Sequence, residues 1–444
     1  MSIPLVLQQH VDDAVSLRQV RSVLLRSPHV QLHRLRRLDE RIAAHLDGVA
    51  VAGADGVAML QAALAAPSAG VVFALAVCAL QGRDATLLQR IVQLAATLPE
   101  AERGFLSALG WVSSEDLQGT VRALLGSRVP VHRAWALAAC AMHRVDPGAV
   151  LAQAVQDADV TVRARAWRVA GQLGRLDLAD AARLALSRPP AAMQDEHATV
   201  VLSPGAGTPD EQADRRAAAW ALTLWGMGHN DIVRQALVAE SAGQPCAPQD
   251  ALRLAIMAAP MDWGREQVRA LAAQAETSAP VRRRMMRMAG WVGDVHVVPW
   301  LIHHMADPLW ARLAGEAFSL ITGADLADCG LECKPPEGLA PGPLDDPEDH
   351  DVAMDEDDSL PWPDQAKVQA WWQAQAGRFV VGQRYFVGEA PSAAHAVQVL
   401  KTAGQRQRIM AAEYRCLLQP GRVMLPVAAP AWRQSRWLAE EEAA

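Results

Sequence analysis

The sequence predicts an all-α protein assembled from repeated helical hairpins, and three observations predict it. Only two Tyr and five Phe stand in 444 residues that are 51% hydrophobic, a composition that disfavours sheets, whose strands are enriched in aromatic and β-branched side chains. Apolar residues recur at i, i+4, i+7, i+8 and i+11, which is one stripe of an α-helix: Val162, Ala166, Val169, Ala170 and Leu173 fit it, as do Val131, Trp135, Ala138, Ala139 and Met142, and Val281, Met285, Met288, Ala289 and Val292. The template also returns at a near-constant interval.

Weaker copies begin at Ala101, at Trp310 and in the segments holding Trp220 and Leu254, with a partial copy around Ala74, Val77 and Cys78. The position twelve beyond the start of each copy falls at 82, 113, 143, 174, 228, 262, 293 and 322, so the period is about thirty with one longer step. A period of that size is the signature of stacked supersecondary units. Each copy is followed by a short break and a second amphipathic stretch, such as Asp146-Pro147 before Val150, Leu151, Ala154 and Val155. Asp or Ser before the stretch and Pro in its first turn are helix-start signals. Neither helix of such a pair hides its apolar face alone, so neighbours must share a continuous core.

In chain order, residues 1–69 predict a helical cap. Within it Arg34, Arg36, Arg37 and Arg41 stand beside Asp39 and Glu40, a pattern that reads as a solvated face of compensating charges or as an anion site. Residues 70–326 predict the repeat array, interrupted at 187–213, where Pro189, Pro190, Pro204, Gly205, Gly207 and Pro209 forbid a continuous helix. Residues 327–361 are proline-rich and then acidic, and predict a self-repelling linker. Residues 362–444 predict a small helical module that collects both tyrosines, Tyr385 and Tyr414, with Trp362, Trp371 and Trp372. Such aromatics either seal the last repeat or mark a recognition surface. Trp371, Trp372 and Tyr385, with the basic pair Arg406 and Arg408 at a helix start, are the candidate protein-binding residues.

The segments "VRARAWRVAGQLG", "VHRAWALAACAMH" and "VRRRMMRMAGWVG" resemble HEAT repeats of the short bacterial class also found in phycobilisome lyases. The resemblance implies a HEAT-like α-solenoid of about eight hairpins over roughly residues 70–325. It also implies a ladder of ion pairs in which an Asp shortly before a Val-Arg pair links neighbouring repeats, a role that Asp159 with Val162 and Arg163 matches. The order of "LDERIAAHLDG", the repeats, "WWQAQAGRFVVGQRYFVGE" and "GQRQRIMAAEY" resembles a proteobacterial family of HEAT-repeat proteins often encoded beside type VI secretion components, which implies that setting and no particular chemistry.

A net charge of -7 supplies no basic excess for nucleic acid. The longest apolar run, Gly70 to Leu80, is shorter than the roughly 20 residues a bilayer requires, and the first residues carry no secretory signal pattern, so a cytoplasmic protein without membrane insertion is expected. Cys329 and Cys333 are the only close cysteines, and a structural zinc site needs four ligands. Phosphate-loop, H-E-x-x-H and G-x-S-x-G motifs do not occur. The expectation is therefore a non-enzymatic protein-binding scaffold, such as an adaptor, chaperone or immunity factor whose partner is an effector or secretion component, with no cofactor or metal. The alternatives are a lyase-like enzyme, for which Cys246, His229 and Glu240 are dispersed candidates, and a nucleic-acid binder using Arg163, Arg165, Arg168, Arg282, Arg283, Arg284 and Arg287.

Overall fold

A computed structural model describes residues 3–187, 208–239, 248–337 and 357–442. Among them the chain is all-α apart from one short antiparallel pair, β1 (Glu332–Cys333) with β2 (Trp362–Pro363). Contacts gather the chain into two compact units, Met1–Ala247 with Lys401–Ala444, and Pro248–Leu400. This differs from the expected 70–326 array and 362–444 module. The break among the repeats falls at 247/248, and the C-terminal stretch is divided at 400/401 because its last forty-odd residues pack on the N-terminal half. Of the expected insertion, 188–207 lies outside the described residues. Its end is corrected: Pro209, read as a breaker, occupies the first turn of a helix opened by a Thr208–Glu211 capping box. Of the expected linker, 338–356 lies outside the described residues.

The first unit opens with α1 (Pro4–Leu24), α2 (Leu32–Val51) and α3 (Ala54–Ala63), followed by hairpins α4 (Ala69–Gln81)/α5 (Ala85–Ala95), α6 (Pro99–Trp111)/α7 (Thr120–Leu125), α8 (Pro130–Met142)/α9 (Ala149–Ala154), α10 (Val160–Gln172)/α11 (Ala179–Ser187) and α12 (Pro209–Leu222)/α13 (Asp231–Val238). Helices α1, α2 and α3 pack on α4, and the first helices then pack in succession, α4 on α6, α6 on α8, α8 on α10 and α10 on α12. The second unit holds α14 (Gln249–Ala258), α15 (Met261–Ala275), α16 (Ala279–Val292), α17 (Val298–His304), α18 (Ala311–Thr322) and α19 (Gln365–Gln375), with α14, α16 and α18 packed in the same successive manner. Next comes α20 (Ala393–Thr402), and the first unit is completed by α21 (Gln405–Leu418) and α22 (Ala431–Glu442).

First and second helices differ in burial for a reason visible in their sequences. Every residue of α4 from Gly70 to Val77 is buried, because it meets α1 and α3 on one side and α5 and α6 on the other. Helix α5 buries only Leu87, Ile91 and Ala95, one stripe. Small residues permit the close approach of first helices. A Cβ on Gly104 of α6 would lie 2.5 Å from the Ala69 carbonyl of α4.

The turn after several first helices is also repeated. Arg83, Arg144 and Gly174 each adopt positive φ (52°, 57° and 68°), and the next N–H returns to a carbonyl five residues back: Asp84 to Ala79, Val145 to Cys140 and Arg175 to Ala170, at 2.9, 2.9 and 3.0 Å. This is the Schellman closure of a helix end. In the second unit Gly293 and Gly323 hold the equivalent left-handed position.

Residues 404–442 run along these turns in the first unit. Arg433 donates to the carbonyls of Gly110, Trp111 and Val112 at 2.9, 3.1 and 2.7 Å. Arg144 stacks on Trp437, and Met424 N–H donates to Gln172 O at 2.7 Å. Gly174 approaches Gly421 so closely that a Cβ would sit 2.0 Å from its carbonyl oxygen. In the second unit residues 384–388 do likewise: Arg384 donates to Ala259 O at 2.9 Å, Tyr385 N–H to Gly293 O at 2.8 Å and Val387 N–H to Leu320 O at 2.6 Å.

Asp39 anchors one end of this arrangement. It does not belong to a solvated face, being fully buried. Its carboxylate accepts from Arg21 Nε at 2.6 Å and from the Ala431 N–H that opens α22 at 2.7 Å, while Arg21 also donates to the Ala428 and Ala429 carbonyls at 3.1 and 3.2 Å. The surface pair on α2 is Arg36 with Glu40. Removing one partner of a buried ion pair leaves an uncompensated charge, so Asp39→Ala is expected to cost about 3 kcal/mol. Glu40→Ala, which breaks only the exposed pair, should cost about 0.3 kcal/mol. Urea unfolding of the two variants side by side checks this contrast.

Candidate peptide-binding face

The arginines that recur at the start of the first helices have a defined task. Arg133 is the fourth residue of α8, Arg163 of α10 and Arg282 of α16. Each side chain curls back to donate to carbonyls of the turn that precedes its own helix. Arg133 reaches Ser127 and Arg128 at 3.0 and 3.3 Å, Arg163 reaches Asp157 and Ala158 at 2.9 and 3.2 Å, and Arg282 reaches Ala275 and Glu276 at 2.9 and 3.3 Å. Carbonyls at the end of a helix lack intrahelical partners and carry the negative end of its dipole, so a guanidinium there is doubly satisfied. Arg234, fourth in α13, does the same to Gly228 and His229.

In Arg133 and Arg163 the remaining guanidinium nitrogens take a carboxylate from the turn or helix that follows the hairpin. Arg133 holds Asp157 through Nε and Nη2 at 2.8 and 2.7 Å, and Arg163 holds Asp214 at 2.9 Å. The expected ladder acid is therefore corrected. Asp159 is the N-cap of α10, accepting from Thr161 and Val162 N–H, and the rung is formed two residues earlier by Asp157. The register is corrected too: the apolar template sets Arg163 opposite His132, whereas the backbone sets it opposite Arg133.

In the second unit the arginine one residue past the ladder position takes its acid from outside the hairpins. Arg283 of α16 grips Asp357 with a planar fork, Nη1 and Nη2 each 2.7 Å from one carboxylate oxygen, and Asp357 is 3% exposed. Arg312 of α18 donates to the Asp357 carbonyl at 3.0 Å and stacks on Trp362 at 4.6 Å. Leu360 N–H closes a turn onto Asp357 O at 3.0 Å, with Ser359 at φ 72°, and Leu360 is buried. The segment then enters β2, and Asp364 caps α19. A turn followed by a two-residue strand thus lies across the first turns of α16 and α18, held by one carboxylate, one carbonyl and one indole.

The residues singled out in the sequence are elsewhere. Trp371 packs edge-on to Phe318, Trp372 meets Phe379, and Phe379 meets Tyr385, at centroid distances of 5.6, 5.4 and 5.0 Å. Tyr385 is buried and its hydroxyl accepts from Val380 N–H at 2.8 Å. These three aromatics share one core of the second unit with α17 and α18. Arg406 donates to Arg26 O at 3.1 Å. Arg408 is fully buried, bonded to Gln405 at 2.7 Å and to Gln434, and burial pushes its guanidinium down to about 10. Arg406 and Arg408 lie in the first unit and the aromatics in the second, and Tyr385 and Arg408 offer no surface to a partner. The face that does present arginines to a peptide was missed; the signal for it was the Arg282–Arg284 run together with an acidic stretch ending in Trp362.

Among the described residues no cluster of three His, Cys, Asp or Glu is arranged to hold a metal ion. His229 meets Gly226 O, while Cys246 and Glu240 lie outside the described residues. Burial pushes the thiols of Cys78 and Cys140 up to about 11 and that of Cys416 up to about 12, which makes them poor nucleophiles, whereas Cys329 and Cys333 are exposed. No family model, curated protein or solved structure matches this chain.

Two outcomes follow from the rungs and the thiols. Burial alone would raise the Asp157 carboxyl, but hydrogen bonds from Arg133 and the Asp159 N–H, with the Arg133 charge, outweigh it and hold the group below its ordinary 3.8. A carboxyl depressed in this way stabilises the fold above its unfolded value, and the contribution is lost as pH falls through the folded one. Asp157→Asn is expected to be less stable than the parent by about 1–2 kcal/mol at neutral pH, with the gap narrowing below about pH 4. Urea melts at both pH values measure the gap, and a constant difference would contradict the assignment. Maleimide added to the native chain should modify Cys329 and Cys333 and spare Cys78, Cys140 and Cys416 until denaturant is present, as read by peptide mass mapping.

Proposed function

We propose that this chain is a non-enzymatic protein-binding scaffold whose hairpins stack as a HEAT-like α-solenoid. The observation that carries the reading is the Asp357–Trp362 segment: residues outside every hairpin lie as a turn and a short strand across the first turns of α16 and α18, recognised at carboxylate, backbone and aromatic. A face that holds a peptide of its own chain in this way has the features by which solenoids hold peptides of others. The setting implied by resemblance is type VI secretion in the cytoplasm, with an effector or secretion component as partner and the chain acting as adaptor, chaperone or immunity factor.

Two further observations support this class over the alternatives. The arginines that would line a phosphate track are engaged within the fold: Arg163 on Asp214, Arg168 on Trp220, Arg282 on carbonyls and Trp310, and Arg283 on Asp357. No single described helix is long and apolar enough to cross a membrane, and α2 with α3, apolar enough when joined, meet at a bend of 114°.

The test is capture on the purified full-length chain from lysate of its source organism, followed by size-exclusion chromatography of the eluate. A single protein co-migrating with the chain at fixed stoichiometry is the expected result. Migration of the chain alone, at every bait concentration, would overturn the reading.

A further inference from the structure

This inference rests on the scaffold reading and names the chemistry of the partner. We propose that the first turns of α16 and α18 form a recognition site for an acidic segment of a partner protein, in which a carboxylate opening a turn is followed five residues on by an aromatic side chain, and that Asp357–Trp362 occupies this site in cis until such a segment displaces it.

The origin of the carboxylate is the first support. Elsewhere the forks take a carboxylate from the hairpin that follows, as Arg133 does from Asp157 and Arg163 from Asp214. Before α18 the comparable acid, Asp307, is turned to the N–H of Leu309 at 3.0 Å, and Arg283 takes its acid from a segment 74 residues further on. Arg283, fifth in α16 and so one residue past the ladder position that Arg282 holds, therefore accepts a carboxylate that no hairpin supplies, which is the condition a partner's segment must meet.

The contacts also choose among ligand classes. A planar fork on a carboxylate would serve a phosphate equally well. Arg312 decides the matter, because it donates to the backbone carbonyl of the same residue and stacks on the indole of Trp362. A carbonyl at that position and an aromatic five residues on are features of a peptide chain, and cation–π stacking adds preference for Trp or Tyr over an aliphatic residue. Charge complements the site as well, since Arg283 of α16 and Arg312 of α18 both meet the acidic residue.

The cis occupant makes these contacts in a strained backbone conformation. Between its two anchor points the chain must pass through Ser359 at φ 72°, a left-handed conformation that non-glycine residues rarely adopt. What favours the cis segment is its tether, which gives it a high local concentration. Opening the site by removing its anchors should expose affinity in trans.

The probe is a fluorescein-labelled peptide of residues 355–364, DEDDSLPWPD, titrated by fluorescence anisotropy into the full-length chain. Asp357→Ala with Trp362→Ala in the chain is expected to bind it at least tenfold more tightly than the parent. Adding Arg283→Ala should remove that gain, and Arg283→Lys, which keeps charge and packing but not the fork, should remove most of it. Thermal melts of each variant establish that it is folded, and the Lys variant keeps the test decisive if the Ala variant is not. Equal binding by parent and opened chain, or binding indifferent to Arg283, would overturn the site. A chain that captures a stoichiometric protein partner yet ignores the peptide keeps the scaffold reading and loses this one, whereas peptide binding without any captured partner does the reverse.

Discussion

A guanidinium at the start of a helix, folded back onto the end of the previous one, is the interaction on which the repeat depends. Two helices joined by a tight turn leave carbonyls at the turn with no intrahelical partner, and packing the next hairpin against them would bury those groups unsatisfied. Arg133, Arg163 and Arg282 meet the need at the same helical position. Because the fork has further donors to spare, satisfying the turn also creates a demand for an acid, and Asp157 and Asp214 answer it from the next hairpin. At these two hairpins stacking is thereby directional, with the following residues completing the turn before them.

The other edge of the hairpins is closed by the chain's own later residues. Schellman turns close the helices before Arg83, Arg144 and Gly174, whereas α6 ends in an extended Val112 and leaves the carbonyls of Gly110 to Val112 to Arg433, which collects all three in one side chain. Asp39 is the counterpart at the cap, a buried acid that ties α1, α2 and the start of α22 together. These are contacts between residues hundreds of positions apart, so the first unit is completed only when the last residues of the chain are in place.

What was legible in the sequence was set by local physics. Apolar spacing marks the first helices, and the Pro and Asp signals mark several of their starts, because both depend on neighbours within a turn or two. The αL residues Arg83 and Arg144 were not legible, since glycine is the usual signal, and the contacts of Arg144 with Trp437 and Glu441 are with residues distant in the sequence. Asp157 and Asp159 are equally plausible rung acids by spacing, and only the backbone decides that one caps the helix while the other faces Arg133. Asp39 reads as a surface charge because its partners, Arg21 and Ala431, are invisible to any local pattern. Trp371, Trp372 and Tyr385 were found as a cluster, but a cluster of aromatics specifies burial before it specifies recognition.

The same reasoning separates structural from recognitional arginine. A rung closed by the following hairpin is fixed by the covalent order of the chain, and its carboxylate has little freedom to leave. At Arg283 the acid arrives on a segment that reaches the fold through a turn and a two-residue strand pair, and the contacts it makes are those of any peptide with an acid and an indole at that spacing. Arg283 stands one residue past the ladder position, so its acid is not set by the order of the hairpins, and supplying that acid from a tethered segment makes a site that another chain can compete for.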